Sequence, residues 1–176
     1  MRKTILYIAI SLDGKIAKAD GSVDWLEAIP VPGDGDYGYA EFYKSIDTTI
    51  QGNATYQQII GWGVDFPYPD KKNYVITRQQ GLANTEHVEF VSTDPVAFLR
   101  ELKASAGKDI WVVGGGKLNA TFLEAKLIDE IQVFIMPVVL TEGIDMFAAL
   151  RKETSLSLVA SKTYENGVVA LTYLPT

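Results

Sequence analysis

The chain has 176 residues with 16 basic and 22 acidic side chains, one histidine and no cysteine. That is enough for one domain with a full hydrophobic core, and it excludes thiol chemistry, disulfides, cysteine–zinc sites and multi-histidine metal sites. The net charge of −6 argues against a nucleic-acid partner, which would need a basic footprint, and no stretch reaches the ~18 apolar residues of a membrane span or shows a signal cleavage site, so a soluble, cytoplasmic protein is expected.

In chain order, residues 4–10 form a short apolar, β-branched run that predicts a strand buried on both faces. Asp13-Gly14 breaks it, and Lys15 to Ala17 can resume it. Residues 18–36 are rich in turn chemistry around a short helical piece at Asp24 to Ala28; a loop of that length is usually functional. A helix is expected from Tyr37 to Ser45 behind Asp36, a favourable N-cap residue. Residues 47–51 predict a strand that meets Gly52, followed by a helix from Ala54 to Ile60 and a surface loop to Pro69. Strands follow at Asn73 to Thr77 and Val88 to Val91. Thr93-Asp94-Pro95 opens a helix with proline at its first position and an apolar stripe of Phe98, Leu99 and Leu102. Asp109 to Val113 is a strand ending in Gly114-Gly115-Gly116, with a helix from Lys117 to Ala125 behind it. Ile128 to Val139 reads as a long strand interrupted by Pro137. In the tail, Leu156, Leu158 and Ala160 fall on one side, and Asn166-Gly167 is a hairpin turn that returns through Val168 to Leu174. Alternating strands and helices followed by strands alone predict an α/β fold: a mostly parallel sheet, helices on both faces, and antiparallel strands at one edge.

Several junctions carry chemistry. Gly114-Gly115-Gly116 removes side chains where a strand becomes a helix, so that first-turn amides can face a phosphate. Three glycines exceed the need of a turn, and the spacing fits neither a Walker loop nor a dinucleotide fingerprint. Gly52-Asn53-Ala54-Thr55 is a second such junction, with Thr55 placed for a phosphate; Asn53 as a plain N-cap is the alternative. Two such junctions at parallel strand ends can hold the two phosphates of one dinucleotide. Thr77-Arg78 pairs a hydroxyl with a guanidinium, a combination suited to the 2′-phosphate of NADPH, although an ordinary surface arginine reads the same way. Asp36 beside Trp25, Tyr39 and Tyr43 suggests a flat ligand and, if the carboxyl is buried, a raised pKa and a proton-relay role; a helix cap and aromatic core packing are the plain alternatives. Asp13 reads as a turn residue and His87 as structural.

Ser11 to Ala17, Asp20 to Trp25, Gly52 to Tyr56, Val112 to Gly116 and Leu127 to Ile131 together resemble the dihydrofolate-reductase-like superfamily. They are most similar to the reductase domain of the bifunctional riboflavin-biosynthesis deaminase–reductase and its stand-alone relatives. The resemblance spans residues 3–174. It implies a three-layer fold with about eight sheet strands and a C-terminal antiparallel hairpin, NADPH as hydride donor, and a homodimer. By the same resemblance, Gly52 to Thr55 and Gly114, Gly115, Gly116, Lys117 and Leu118 hold the pyrophosphate, and Thr77 and Arg78 face the 2′-phosphate. Ala9 and Ile16 line the nicotinamide. Asp36 takes the place of the carboxylate that anchors substrate and assists protonation, with Trp25, Tyr39 and Tyr43 around it. The implied activity is reduction of a C=N or C=O group on a pterin- or pyrimidine-like substrate, as in 5-amino-6-(5-phosphoribosylamino)uracil reductase. A dihydrofolate reductase and a non-catalytic nucleotide-binding protein of the same fold are the alternatives. The family's second glycine turn continues with arginine where this chain has Asn53. Its substrate-phosphate arginines have no counterpart in residues 36–46, whose one cation is Lys44.

Overall fold

Thr4–Ser11 (β1) is the strand around which the sheet is built. Its apolar run is buried from both sides: Leu6 and Ile8 enter one core, while Ile5, with Tyr7 packed beside it, enters another. The computed structural model describes residues 1–176 apart from Pro32 and Asp34, so that part of the expected 18–36 loop lies outside the described residues. The remaining elements are Lys15–Ala17 (β2), a 3₁₀ turn at Asp24–Leu26, Tyr39–Ser45 (α1), Ile46–Gly52 (β3), Asn53–Gly61 (α2), Lys72–Ile76 (β4), Val88–Val91 (β5), Pro95–Ala104 (α3), Asp109–Gly114 (β6), Gly116–Glu124 (α4), Glu130–Met136 (β7), Ile144–Asp145 (β8), Leu156–Thr163 (β9) and Val169–Pro175 (β10).

Eight strands form one sheet in the order β5-β4-β3-β6-β1-β7-β10-β9. Pairings from β5 to β7 are parallel, and β10 joins β7 and β9 antiparallel. The expected parallel sheet with an antiparallel C-terminal hairpin is therefore present. Leu118, Phe122 and Leu123 of α4 pack on one face with Leu99 of α3, while Phe42 of α1 and Ile59 of α2 pack on the other with Trp111. β3 and β6 are neighbours, yet α2 leads to β4 on one side and α4 leads past β1 to β7 on the other. The two helices diverge to opposite faces, which opens a crevice at the carboxyl ends of β3 and β6, the usual ligand position in such sheets.

Two expectations differ from what is observed, and one pairing was not expected. The long strand stops at Met136 because Pro137 has no N–H for the ladder. β9 alternates in sequence, but all eight of its residues are exposed, because it is the sheet's edge and nothing covers either side. β2 pairs with β8, a two-stranded ribbon that the sequence pattern did not announce.

At the amino-terminal edge of the sheet, buried charges close the structure. Arg2 pairs with Asp47 and donates to Thr48 Oγ1 at 2.6 Å and Ser105 Oγ at 3.3 Å. Lys103 pairs with Asp129, which also accepts from the Thr4 amide at 2.6 Å.

Candidate functional site

A cleft of about 1400 Å³ opens at the carboxyl ends of β1, β3, β4 and β6. That volume exceeds the ~300–1,000 Å³ typical of a single small-ligand pocket, so it has room for two ligands. Gly52, Asn53, Ala54 and Thr55 line it at the start of α2; Gly115, Gly116, Lys117 and Leu118 line it at the start of α4. Thr77 and Arg78 bound it beyond β4, and Ala9 and Ile16 lie on the β1–β2 side. Gly114 does not line the cleft; it stands behind Gly115. The structure thus brings the rest of the expected cofactor residues into one space.

Neither helix has a side-chain cap: the N-cap residues are Gly52 and Gly115, both extended. The Asn53 carboxamide accepts instead from Gln57 Nε2 at 3.4 Å, one turn along. The first turns of both helices line the cleft, and a helix start favours an anion there; in α4 the Leu118 amide is taken by the Gly115 carbonyl at 2.9 Å, while no side chain caps the turn. A Cβ on Gly52 would lie 3.9 Å from the Gly114 carbonyl oxygen and Gly115 nitrogen, and one on Gly115 would lie 3.3 Å from Thr55 Oγ1. These glycine turns are in near contact and form a single cradle.

The three consecutive glycines lack a side chain for separate steric reasons, while Gly115 and Gly116 both line the cleft. Gly114 has φ +126°, a conformation that disfavours a side chain. Gly116 packs against β8, where a Cβ would overlap the Asp145 carbonyl oxygen. Gly115 lacks a Cβ where one would crowd Thr55 Oγ1 within the cradle.

The expected substrate group is not assembled as the sequence suggested. Asp36 is exposed and does not line the cleft. Its carboxylate accepts from the Ala40 amide at 2.7 Å and the Gly38 amide at 3.1 Å, and these bonds hold its pKa below the usual range. The condition for a proton donor, burial with a raised pKa, is not met; Asp36 is an ionised acceptor at the start of α1, near enough to Tyr7 to act on it electrostatically. Trp25 is buried with Phe134, Met136 and Val168, while its neighbours Val23 and Leu26 line the cleft. Tyr39 and Tyr43 sit behind the wall: Tyr39 packs on Tyr7 and Trp111 with centroids 6.1 and 6.0 Å apart, and the Tyr43 hydroxyl donates to Asp70. His87 stacks on Phe66.

The rings that do face the cleft are Tyr7, Tyr68, Trp111 and Trp62. Tyr7 and Trp111 come from adjacent strands and share a sheet face with Ala9 and Val113, so alternation along β1 and β6 was the signal that could have found them. Tyr7 stacks on Phe42 at 4.2 Å, and Trp111 meets Tyr68 edge-on at 5.0 Å. The Trp111 indole N–H is used by the Tyr7 carbonyl at 3.1 Å, so the ring offers the cleft an apolar surface. Burial pushes the Tyr7 and Tyr68 phenols well above their usual pKa, so both remain protonated donors. Asp13, as expected, is a turn residue: it accepts from Ser11 Oγ at 2.6 Å and the Leu140 and Thr141 amides at 3.0 and 2.8 Å, fixing the turn after β1 to the segment after β7. Among the described residues, no group of three or more His, Asp or Glu could hold a metal ion, and no helix is long and apolar enough to cross a membrane.

Comparison with known proteins agrees with this geometry. The model of the RibD C-terminal domain matches residues 68–170. Protein YwjB of Bacillus subtilis (strain 168) is 44% identical over 167 residues, 95% of each chain. The crystal structure of a candidate riboflavin biosynthesis protein from Shewanella sp. PV-4 superposes with a TM-score of 0.89 at 26% identity, covering 99% of both chains. A Thermotoga maritima diaminohydroxyphosphoribosylaminopyrimidine deaminase/5-amino-6-(5-phosphoribosylamino)uracil reductase shares the fold at a TM-score of 0.75 and 18% identity, with this chain covering 57% of it. With its glycine cradle at the switch point of a mostly parallel sheet, the chain belongs to the RibD C-terminal domain family and has the dihydrofolate-reductase-like fold of its reductase domains.

Proposed function

We propose that the protein is an NADPH-dependent reductase acting on a C=N or C=O group of a small pterin- or pyrimidine-like substrate. The observation that carries this reading is the cradle: two uncapped helix starts, from opposite faces of the sheet, opening into one cleft. It fits a pyrophosphate, since backbone amides supply the donors and the glycines leave the space. Asn53 and Thr55 flank it from α2, and Lys117 from α4. Arg78 lies beyond, where a 2′-phosphate would need a guanidinium. Ala9 and Ile16 leave an apolar slot for the nicotinamide.

The chemistry a bound NADPH supplies is a hydride to the electrophilic carbon, balanced by a proton from water, which converts C=N or C=O to its N–H or O–H product. The chain positions the reactants and shields them. Trp111, Tyr7 and Ile59 give the cleft an apolar lining; the Tyr7 hydroxyl donates to the Tyr37 carbonyl at 3.5 Å, and the Tyr68 phenol, raised in pKa by burial, keeps its proton for an acceptor atom.

NADPH should quench tryptophan fluorescence, because Trp111 and Trp62 line the cleft, and should raise the melting temperature more than NADH does. No response to millimolar NADPH would overturn the reading. The same proposal includes a homodimer, favoured by the uncovered edge strand β9, where Leu158 and Val159 are each 54% exposed. Light scattering of the purified protein checks it.

A further inference from the structure

The cleft has two chemically different ends. Its anion-binding equipment is gathered at one of them: the two glycine turns, Arg78 and Lys117. Among the described lining residues those are the two cations. From the cradle, α2 forms a wall that runs away at about 1.5 Å per residue, so Ile59 and Trp62 lie roughly 9 and 13 Å further along. Beside Ile59 pack Tyr68, Trp111 and Tyr7, and these, with Trp62 and with Leu26 from the 19–26 segment, also line the cleft.

Among the described residues, no cation lines this second end. Lys71, the nearest behind the aromatic wall, is engaged by Asp70 at 3.0 Å and lies over the Tyr43 ring at 4.0 Å. On the 11–26 side, Lys18 pairs with Asp24 at 2.8 Å and Lys15 pairs with Asp145. The charged group that reaches the lining here is Asp20, kept ionised by the Ser22 amide, which it accepts at 2.8 Å. Asp36 adds a further ionised carboxylate close to Tyr7. A phosphate placed here would be desolvated against aromatic rings, without an opposite charge and near like charges, a costly arrangement. A neutral conjugated ring would instead pack against this aromatic and aliphatic lining without that cost.

We infer that the second ligand of the cleft is an uncharged planar ring bearing a C=O or C=N group, and that phosphorylated substrates are excluded. This rests on the cofactor reading, which assigns the cradle to NADPH.

The decisive experiment compares one ring with and without the phosphate. The 5-amino-6-ribosylaminouracil nucleoside and its 5′-phosphate are titrated into the full chain, with and without saturating NADP⁺, following tryptophan quenching and melting temperature. NADPH oxidation is followed with each as acceptor. The nucleoside should bind at least about tenfold tighter than its phosphate, the order of effect of one charge-assisted interaction lost or opposed. Leu26→Lys, which adds a cation at the apolar end, should narrow that ratio while leaving NADP⁺ affinity unchanged. Equal or tighter binding of the phosphate, or failure of both compounds to bind, overturns the inference. Failure of NADP⁺ and NADPH to bind counts against the cofactor reading instead, and the nucleoside-to-phosphate ratio without cofactor still decides the substrate question.

Discussion

The two edges of one sheet are built for opposite purposes. At the amino-terminal edge, Arg2 and Lys103 are buried and each is met by a carboxylate, backbone carbonyls or hydroxyls. At the carboxyl edge, two helices start without side-chain caps, their glycines hold the backbone bare, and a cleft stands open. Polar groups are satisfied internally where the fold must close and left for an incoming ligand where it must open. Stability and binding therefore rest largely on different residues, and substitutions can test that separation.

The largest expected effect is on the closed edge. Arg2→Ala removes a buried guanidinium that serves Asp47, Thr48 Oγ1, Ser105 Oγ and the Lys108 carbonyl together, and should lower stability by about 3 kcal/mol, the scale of several lost bonds to a charged group. For a chain of this size that is a fall of roughly 10 °C in melting temperature. The affinity of the folded variant for NADPH should match that of the parent; a parallel loss of affinity would break the separation.

The adjacent glycines sharpen it. Gly116→Ala drives a methyl into the Asp145 carbonyl oxygen and should cost about 2 kcal/mol of stability by overpacking. Gly115→Ala meets Thr55 Oγ1, which can shift, so its melting temperature should stay near the parent's while NADPH affinity falls severalfold. Thermal melts and fluorescence titration of the two variants read both effects.

Arg78→Ala should leave stability unchanged, since Arg78 is exposed. It should reduce the preference for NADPH over NADH by about tenfold, the scale of a charge-assisted hydrogen bond. An unchanged ratio would remove Arg78 from the site.

The smallest effect is an acid one. Asp13 is held at about 2 by its Ser11, Leu140 and Thr141 partners, against an ordinary 3.8. The unfolded chain therefore takes up its proton first. The contribution is complete above about pH 4 and is lost as pH falls toward 2. Asp13→Asn should flatten stability in that window and leave NADPH affinity at neutral pH unchanged.

Much of this was legible in the sequence because it depends on local chemistry. Glycine junctions behind β-branched runs marked both helix starts, and Asp94-Pro95 marked α3, where the Asp94 carboxylate accepts the Ala97 amide at 2.7 Å. What was not legible depends on distant partners. Trp25 is buried by Phe134 and Met136, which lie on a distant strand that no pattern around residue 25 reveals, whereas alternation along β6 marked the face of Trp111. Asp36 carried the right residue type at the right spacing, but the Gly38 and Ala40 amides claim its carboxylate. The steric need for glycine at 116 was not legible, because β8, the element a Cβ there would strike, is too short to show a periodicity. The exposure of β9 likewise follows from its place in the sheet order, not from its alternation.

The central claim is that the two helix starts at the open edge jointly hold one NADPH. Amide hydrogen exchange with and without NADPH tests it most directly. Residues 53–55 and 115–117 should be protected together, with weaker protection at 77–78 and none around Arg2 and Asp47. Protection of only one helix start, or of neither, would contradict it.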